Sequence, residues 1–318
     1  MARTRYAPDR GLTVRMTATM FLLGLVFVAF VALIIGIMMA MRASGEAIVV
    51  IALLFGGGMA FASLFYSDKI ALATAGAQVV TPQQAPELHG IVDRLCAMAD
   101  MDKPVVAIAP TRMPNAFATG RNSKHSVLCV TDGLLRRLDG KELEGVLAHE
   151  MSHVAHKDVQ VMTYASLLAI VAGLLVRFAF YSELFGGGRR GGNNNQNALP
   201  IMLIVMLVSI VVYAISFLLI RLLSRYRELA ADRSAAVLTG QPSALKSALV
   251  KVSGAMSQIP DQDLRAAEPM NAFFFAPALN LRKKQASLST MFSTHPSLEK
   301  RIEQLDKIQR QLGQVDPG

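Results

Sequence analysis

Cysteine is scarce. The 318 residues include only Cys96 and Cys129, far apart and in no CxxC pair. That excludes a disulfide scaffold and a zinc-ribbon spacing. It fits two reduced thiols in or near a core, in a domain facing a reducing compartment. Charge is missing from long stretches. Residues 16–41, 47–66 and 199–220 hold no charged side chain, and residues 159–180 hold only Arg177, near their end. A four-span transporter usually carries an ionisable residue near the middle of a span, and none of the four runs does. There is no internal repeat.

The chain has an excess of apolar residues, 53%, and a positive mean hydropathy. Soluble chains sit nearer 45–50%. The excess is concentrated in the four runs, which places the chain in the membrane class. Roughly 200 residues remain outside them, enough for one compact domain. About 20 apolar residues span a bilayer. The first run is too long for the apolar region of a secretory signal, roughly 7–15 residues, and reads as a retained helix. The short loop at residues 42–46 forces the first two runs into an antiparallel hairpin, and Gly56, Gly57 and Gly58 permit close helix packing. Runs three and four can also be read as a buried helical hairpin, but their length and lack of charge favour spanning.

The net charge of +9 would raise nucleic-acid binding in a soluble protein. Here the basic residues sit beside apolar runs, as Arg3, Arg5, Arg10 and Arg15 and again as Arg221, Arg225 and Arg227. A juxtamembrane role accounts for them, and no nucleic-acid partner is expected. Four arginines precede the first run and one separates runs one and two, so the N-terminus is expected in the cytoplasm. An even number of spans returns the rest of the chain to that side. Arg189 and Arg190 in the distal loop argue weakly against this for the second hairpin.

The expected organisation is a basic cytoplasmic N-terminus at 1–15 and a transmembrane hairpin at 16–66. The first part of a soluble domain follows at 67–158. A second apolar hairpin at 159–220 carries a Gly/Asn-rich loop at 186–197, and the second part of the domain is 221–318. Thr81-Pro82 predicts a helix start, with the helix reaching about Met101. Residues 104–109 and 126–130 read as short strands, and residues 113–120 between them as loop-like at both ends. A short helix is capped at Thr131-Asp132, and a strong helix covers 141–157. Residues 260–277 read as irregular, and Pro296 opens a C-terminal helix to about Leu312.

His149, Glu150 and His153 form an HExxH motif inside the predicted helix. Residues four apart lie one turn apart on one face. Both imidazoles can then reach one zinc ion at about 2.0–2.1 Å, with Glu150 beside them as general base. Chance supplies HExxH in a chain this long on the order of 1% of the time. A catalytic zinc takes three protein ligands and keeps a position open. His156 follows His153 by three residues, not the six of metzincins, and reads as solvated or supporting. Glu228 is the better third ligand. Asp232, four residues on, shares its helix face and can take the hydrogen bond that orients a ligand imidazole. An ordinary charged helix surface would look the same, so the Glu228/Asp232 signal gains weight only beside HExxH.

Taken together, these motifs resemble the HtpX-type membrane zinc metalloproteases, relatives of the CAAX prenyl endopeptidases. The resemblance rests on His149 to His153 with Asp158 shortly after, Glu228 to Asp232, Asn115 to Ala118, and Thr294-His295-Pro296 with Arg301. The order of apolar runs and motifs also fits, over nearly the whole chain. The resemblance implies a mainly α fold with a small β-sheet: multi-pass membrane helices plus a zincin-like metalloprotease domain. It implies a stress-linked quality-control protease of the bacterial inner membrane, multi-pass, with one catalytic zinc and its active site in the cytoplasm. Its partners would be misfolded membrane and soluble polypeptides, the lipid bilayer, and other quality-control proteases of that membrane.

In this reading Glu150 takes the proton of the attacking water. His295 is the candidate oxyanion donor, against the plainer reading of a histidine capping the helix at Pro296. Asn115, Ala116, Phe117 and Ala118 resemble the edge segment that pairs with substrate backbone. The rival is a membrane scaffold or chaperone-like binder with a structural or inactive metal site. Structural zinc usually fills all four positions, often with cysteine, and neither cysteine is near the motif.

Overall fold

Alternation along two strands decides how the sheet-bearing half of the chain packs. In a computed structural model, which describes residues 10–40, 46–186, 198–258 and 295–313, four strands form one sheet in the order β1-β2-β4-β3. They are β1 (Gln78–Val79), β2 (Val105–Ala109), β3 (Ala116–Asn122) and β4 (His125–Thr131). β2 and β4 run parallel, and β3 returns antiparallel to β4 at the sheet edge. Successive side chains of a strand point to opposite faces. Val106, Leu128 and Val130 therefore enter a large core, while Ala107, Ala109, Val127 and Cys129 join a smaller cluster with Phe117 and Ala71.

Helices close the large core, α7 (Ala198–Thr239) among them through Ala235, Ala236 and Leu238. α3 (Pro86–Ala99) contributes Leu88, Val92 and Leu95. α5 (Gly140–Ala155) contributes Val146, Leu147 and Met151. α8 (Pro242–Ser257) contributes Leu245, Leu249 and Val252, and α9 (Leu298–Gln311) contributes Leu305 and Ile308. The smaller cluster is covered by Ala71, Leu72 and Ala75 from the end of α2 (Glu46–Ala75). The sheet is thus apolar on both faces. α4 (Asp132–Leu135) is a single turn whose Thr131 cap accepts from Leu134 N.

α5 starts with a capping box. Asp139 accepts from the Lys141 and Glu142 amides, and Glu142 bonds back to the Asp139 amide. A cap of this kind is worth about 1 kcal/mol. Glu142 also meets Lys251 and the Ser247 hydroxyl, each at 2.6 Å, which fixes the start of α5 to α8. Gly145 permits the same approach further along. A Cβ there would lie 3.3 Å from Leu245 backbone atoms.

The chain divides into two compact units: residues 1–16, 64–160 and 224–318, and residues 17–63 and 161–223. The second unit holds most of α1 (Arg10–Ala40), part of α2, most of α6 (Asp158–Gly186) and the first part of α7 (Ala198–Thr239). Small and hydroxyl side chains are buried within it, among them Thr19, Ala165, Ala172, Ser209 and Ser216. Gly56 sits against Val171, as close helix packing in lipid requires. Phe21, Leu25, Leu54 and Leu207 stay exposed, an apolar outer surface suited to hydrocarbon. Among the described residues two helical stretches are long and apolar enough to cross a membrane, Thr13–Leu33 and Met206–Thr239.

α7 has 42 residues, about 63 Å at 1.5 Å per residue. The hydrocarbon core is about 30 Å thick, so a helix of this length extends well beyond it. Its uncharged portion ends at Ile220, and Glu228 and Asp232 follow on the charged extension.

Several sequence expectations need correction. Thr81 and Pro82 form a turn, with the Gln84 and Ala85 amides bonding Thr81 O, and the helix starts only at Pro86. Residues 116–120, in the segment 113–120 that reads as loop-like at both ends, belong to strand β3. The helix of the second apolar run continues past it, through Asp68 and Lys69 to Ala75. The Gly/Asn-rich loop from residue 187 and the irregular stretch at 260–277 lie outside the described residues.

Cysteine burial yields a simple check. Burial pushes the Cys129 thiol up to about 12 and, with Asp93 nearby, the Cys96 thiol up to about 11. Thiolates react, thiols do not. Iodoacetamide at neutral pH should label neither cysteine in the folded protein and both in guanidinium, with mass spectrometry as the readout. Rapid native labelling of Cys129 would contradict its place in the sheet.

Candidate metal centre and catalytic site

The sequence spacing becomes geometry on α5. His149 and His153 face the same way, their ring centroids 4.9 Å apart and their planes nearly perpendicular. α7 brings Glu228 across from them. His149 Nε2 is 3.7 Å from Glu228 Oε2, and His153 Nε2 is 3.5 Å from Glu228 Oε1. Ligand atoms of the three residues all lie within 4.8 Å of one another. Around a tetrahedral zinc with bonds of about 2.0–2.1 Å, donor atoms stand about 3.3 Å apart. The three side chains fit such an ion with small adjustments.

The far side of each imidazole is fixed. His149 Nδ1 lies 2.9 Å from Asp232 Oδ1, and His153 Nδ1 lies 2.5 Å from Asp158 Oδ2. A carboxylate on Nδ1 turns Nε2 toward a metal and makes it a better ligand. Asp158 reaches His153 because α5 ends in a tight turn. Lys157 adopts φ +56, its amide bonds Val154 O, and Asp158 starts α6.

Electrostatics follow from this burial. Desolvation pushes the His149 imidazolium to lose its proton, but Asp232 and Glu228 outweigh it and raise its pKa to about 9. Burial pushes Asp158 up, and the charges of Arg227 and His153 more than reverse this, holding it well below the usual carboxylate range. Glu228 is likewise lowered, burial being overcome by His295, His149 and His153. Glu150 is raised, mainly by burial. Its Oε2 accepts from the Ala118 amide at 3.2 Å, placing the carboxylate against edge strand β3.

His295 Nδ1 lies 3.1 Å from Glu228 Oε2, while the cap of α9 is Ser297. His156 ends α5, its amide bonded to Ser152 O, and is not among the converging ligand atoms. Asn115 uses its backbone amide and carbonyl on Thr131. The Phe117 side chain joins the small cluster with Ala71, Ala107 and Cys129. Ala116 and Ala118 lie on the strand itself.

Three residues of the site had no role in the sequence reading. Asp158 and Arg301 were visible only as points of family resemblance, and Arg227 only as a juxtamembrane charge. Arg227 Nη2 is 2.8 Å from Asp158 Oδ2. Arg301, fully buried, meets both oxygens of Asp232 at 2.6 and 2.7 Å.

A helix-borne histidine pair, an adjacent buried glutamate and a carboxylate from a second helix describe a metallopeptidase type of site. Residues 82–309 match the family model of Peptidase family M48, and the chain belongs to that family of metalloproteases. It is 56% identical over 317 residues to "Protease HtpX homolog 1" of Streptomyces coelicolor, covering 99% of each chain. It is 50% identical over 310 residues to "Protease HtpX homolog 2" of Methanosarcina mazei, covering 98% of this chain and 99% of the relative. Among solved structures, the crystal structure of S. mikatae Ste24p shares the fold, with TM-score 0.52 and 17% identity over 94% of this chain and 67% of that one.

The site predicts an order of damage. Glu228→Ala should purify largely metal-free, since two imidazoles hold zinc poorly. Asp232→Ala should keep most of its metal, with affinity lowered about 10–100-fold, and His156→Ala should resemble wild type. Metal content at matched chelator concentration is the readout. An empty His156→Ala beside a loaded Glu228→Ala would mean the third ligand is misassigned. Metal binding must also displace the proton that His149 holds below about pH 9. Apparent affinity should therefore rise with pH toward 9 and fall on acidification.

Proposed function

We propose that the protein is a zinc-dependent endopeptidase anchored in the bacterial inner membrane, with its catalytic half in the cytoplasm. Its substrates would be misfolded or damaged membrane and soluble polypeptides. The observation that carries the reading is the convergence of His149, His153 and Glu228 beside buried Glu150. Family membership and the names of the relatives support the peptidase part of it. The arginine bias of the N-terminus supports the orientation.

When bound, zinc supplies Lewis acidity to a carbonyl and brings the proton of a water within reach of a carboxylate base. His149, His153 and Glu228 would hold it, with Asp232 and Asp158 orienting the two rings. Burial raises the proton affinity of Glu150, which makes it a stronger base toward a nearby water. It takes the proton of the attacking water as the new C–O bond forms. It then delivers that proton to the amide nitrogen as the C–N bond breaks. His295, whose Nδ1 lies beside Glu228, would donate an N–H to the developing oxyanion.

An extended substrate would lie along the open edge of β3, paired through main-chain hydrogen bonds. Glu150 already meets that strand at Ala118, so the base stands where the substrate backbone would pass. Main-chain pairing demands little of side chains, which suits a protease acting on damaged proteins of any sequence.

Two measurements test the proposal. Glu150→Gln should retain zinc but lose casein hydrolysis by several orders of magnitude, and zinc-dependent cleavage surviving in that variant would remove Glu150 from its role. Reporter fusions after Tyr66 and after Asp232 should report the cytoplasm, and one at Glu46 the opposite side. An exported Tyr66 fusion would reverse the orientation.

A further inference from the structure

Arg227 and Arg301 close two chains of the same composition. On one side His149 Nδ1 meets Asp232 Oδ1 at 2.9 Å, and Arg301 grips that aspartate with Nε on Oδ2 at 2.7 Å and Nη2 on Oδ1 at 2.6 Å. On the other, His153 Nδ1 meets Asp158 Oδ2 at 2.5 Å, and Arg227 Nη2 reaches the same oxygen at 2.8 Å. The two aspartate side chains are 0% and 3% exposed. α5 supplies both histidines. α7 supplies the aspartate of the first chain and the arginine of the second, while α9 and α6 supply the remaining partners. One His–Asp–Arg pattern is thus built twice from different helices.

We infer that Arg227 and Arg301 are positioning residues for the metal, each fixing one aspartate so that its oxygen aims the Nε2 of His153 or His149 at the point shared with Glu228. The inference rests on the metallopeptidase reading above. The physical reason is rotational. The last torsion of aspartate is broad, and a single hydrogen bond to an imidazole leaves the carboxylate plane loose. A guanidinium is a planar fork that matches a carboxylate and sets its plane. The imidazole then inherits that orientation through its own bond to the carboxylate. A metal site tolerates errors of only about 0.5 Å in its ligands, so this support matters to affinity. Arg301 binds through two prongs and Arg227 through one, which ranks Arg301 as the stronger of the two.

Ion pairs that merely held helices together would predict something else. Their loss would lower the folded fraction and leave the zinc affinity of the folded protein unchanged. The test uses the full-length protein in detergent, with zinc affinity measured by chelator competition and folding checked by circular dichroism. R227M and R301M should bind zinc about 10–100-fold more weakly. R227K and R301K should recover part of that loss, because lysine restores charge without the fork.

Double variants locate the effect. R227M with D158N should be no worse than D158N alone, because both lie in one chain. R227M with D232N should show the product of the two single losses. A folded R227M with wild-type zinc affinity would overturn the inference, and so would losses that multiply within one chain. Arg301 is fully buried, and R301M can fail to fold. Arg227, 12% exposed, then carries the test alone. Absence of zinc binding by the wild type would instead sink the metallopeptidase reading, and this inference with it.

Discussion

The ion pair between Arg301 and Asp232 is the interaction on which the rest of the site depends. Both side chains are buried almost completely, and each is the main compensation for the other. Removing one partner of such a pair leaves an uncompensated charge in a dry interior, which typically costs about 3–5 kcal/mol. Asp232 in turn holds His149, so the start of α9 and the middle of α5 are tied through a side chain of α7. The packing of α8 against both α5 and α9, through Leu245, Leu249, Leu305 and Ile308, is the apolar counterpart of that tie.

The sheet has a complementary task. Apolar on both faces, it is a rigid plate with one edge strand, β3, lying beside α5. The bond from the Ala118 amide to Glu150 fixes the distance between that edge and the Glu150 carboxylate. Rigid elements place reacting groups more accurately than loops do. Here a helix and a strand share the task, each anchored in the same core.

Local spacing made part of this legible in the sequence. His149 and His153, and again Glu228 and Asp232, are four residues apart, and a helix turns that interval into one face. The apolar runs were readable because hydrocarbon allows few alternatives. Arg301 pairs with a residue 69 positions away, and no periodicity encodes such a partner. Asp158 depends on Lys157 entering the left-handed region, which a lysine does not advertise. Strand β3 was obscured because Pro114 and Gly120 bracket residues buried on both faces, which erases the polar alternation of a strand. β1 is two residues long, too short for any pattern. Thr81-Pro82 carries the signature of a helix start, and the structure spends that signature on a turn instead.

The spread of the site along the chain also sets a timetable. The HExxH helix is synthesised first, Glu228 follows 228 − 149 = 79 residues after His149, and Arg301 follows 301 − 149 = 152 residues after it. At about 5–20 residues per second, roughly 8–30 s separate the first histidine from the arginine that completes its support. During that interval the two histidines lack first their carboxylate partner and then the buttress of Asp232. The site of this protease is therefore incomplete until residue 301 has been made, well after its two histidines have left the ribosome.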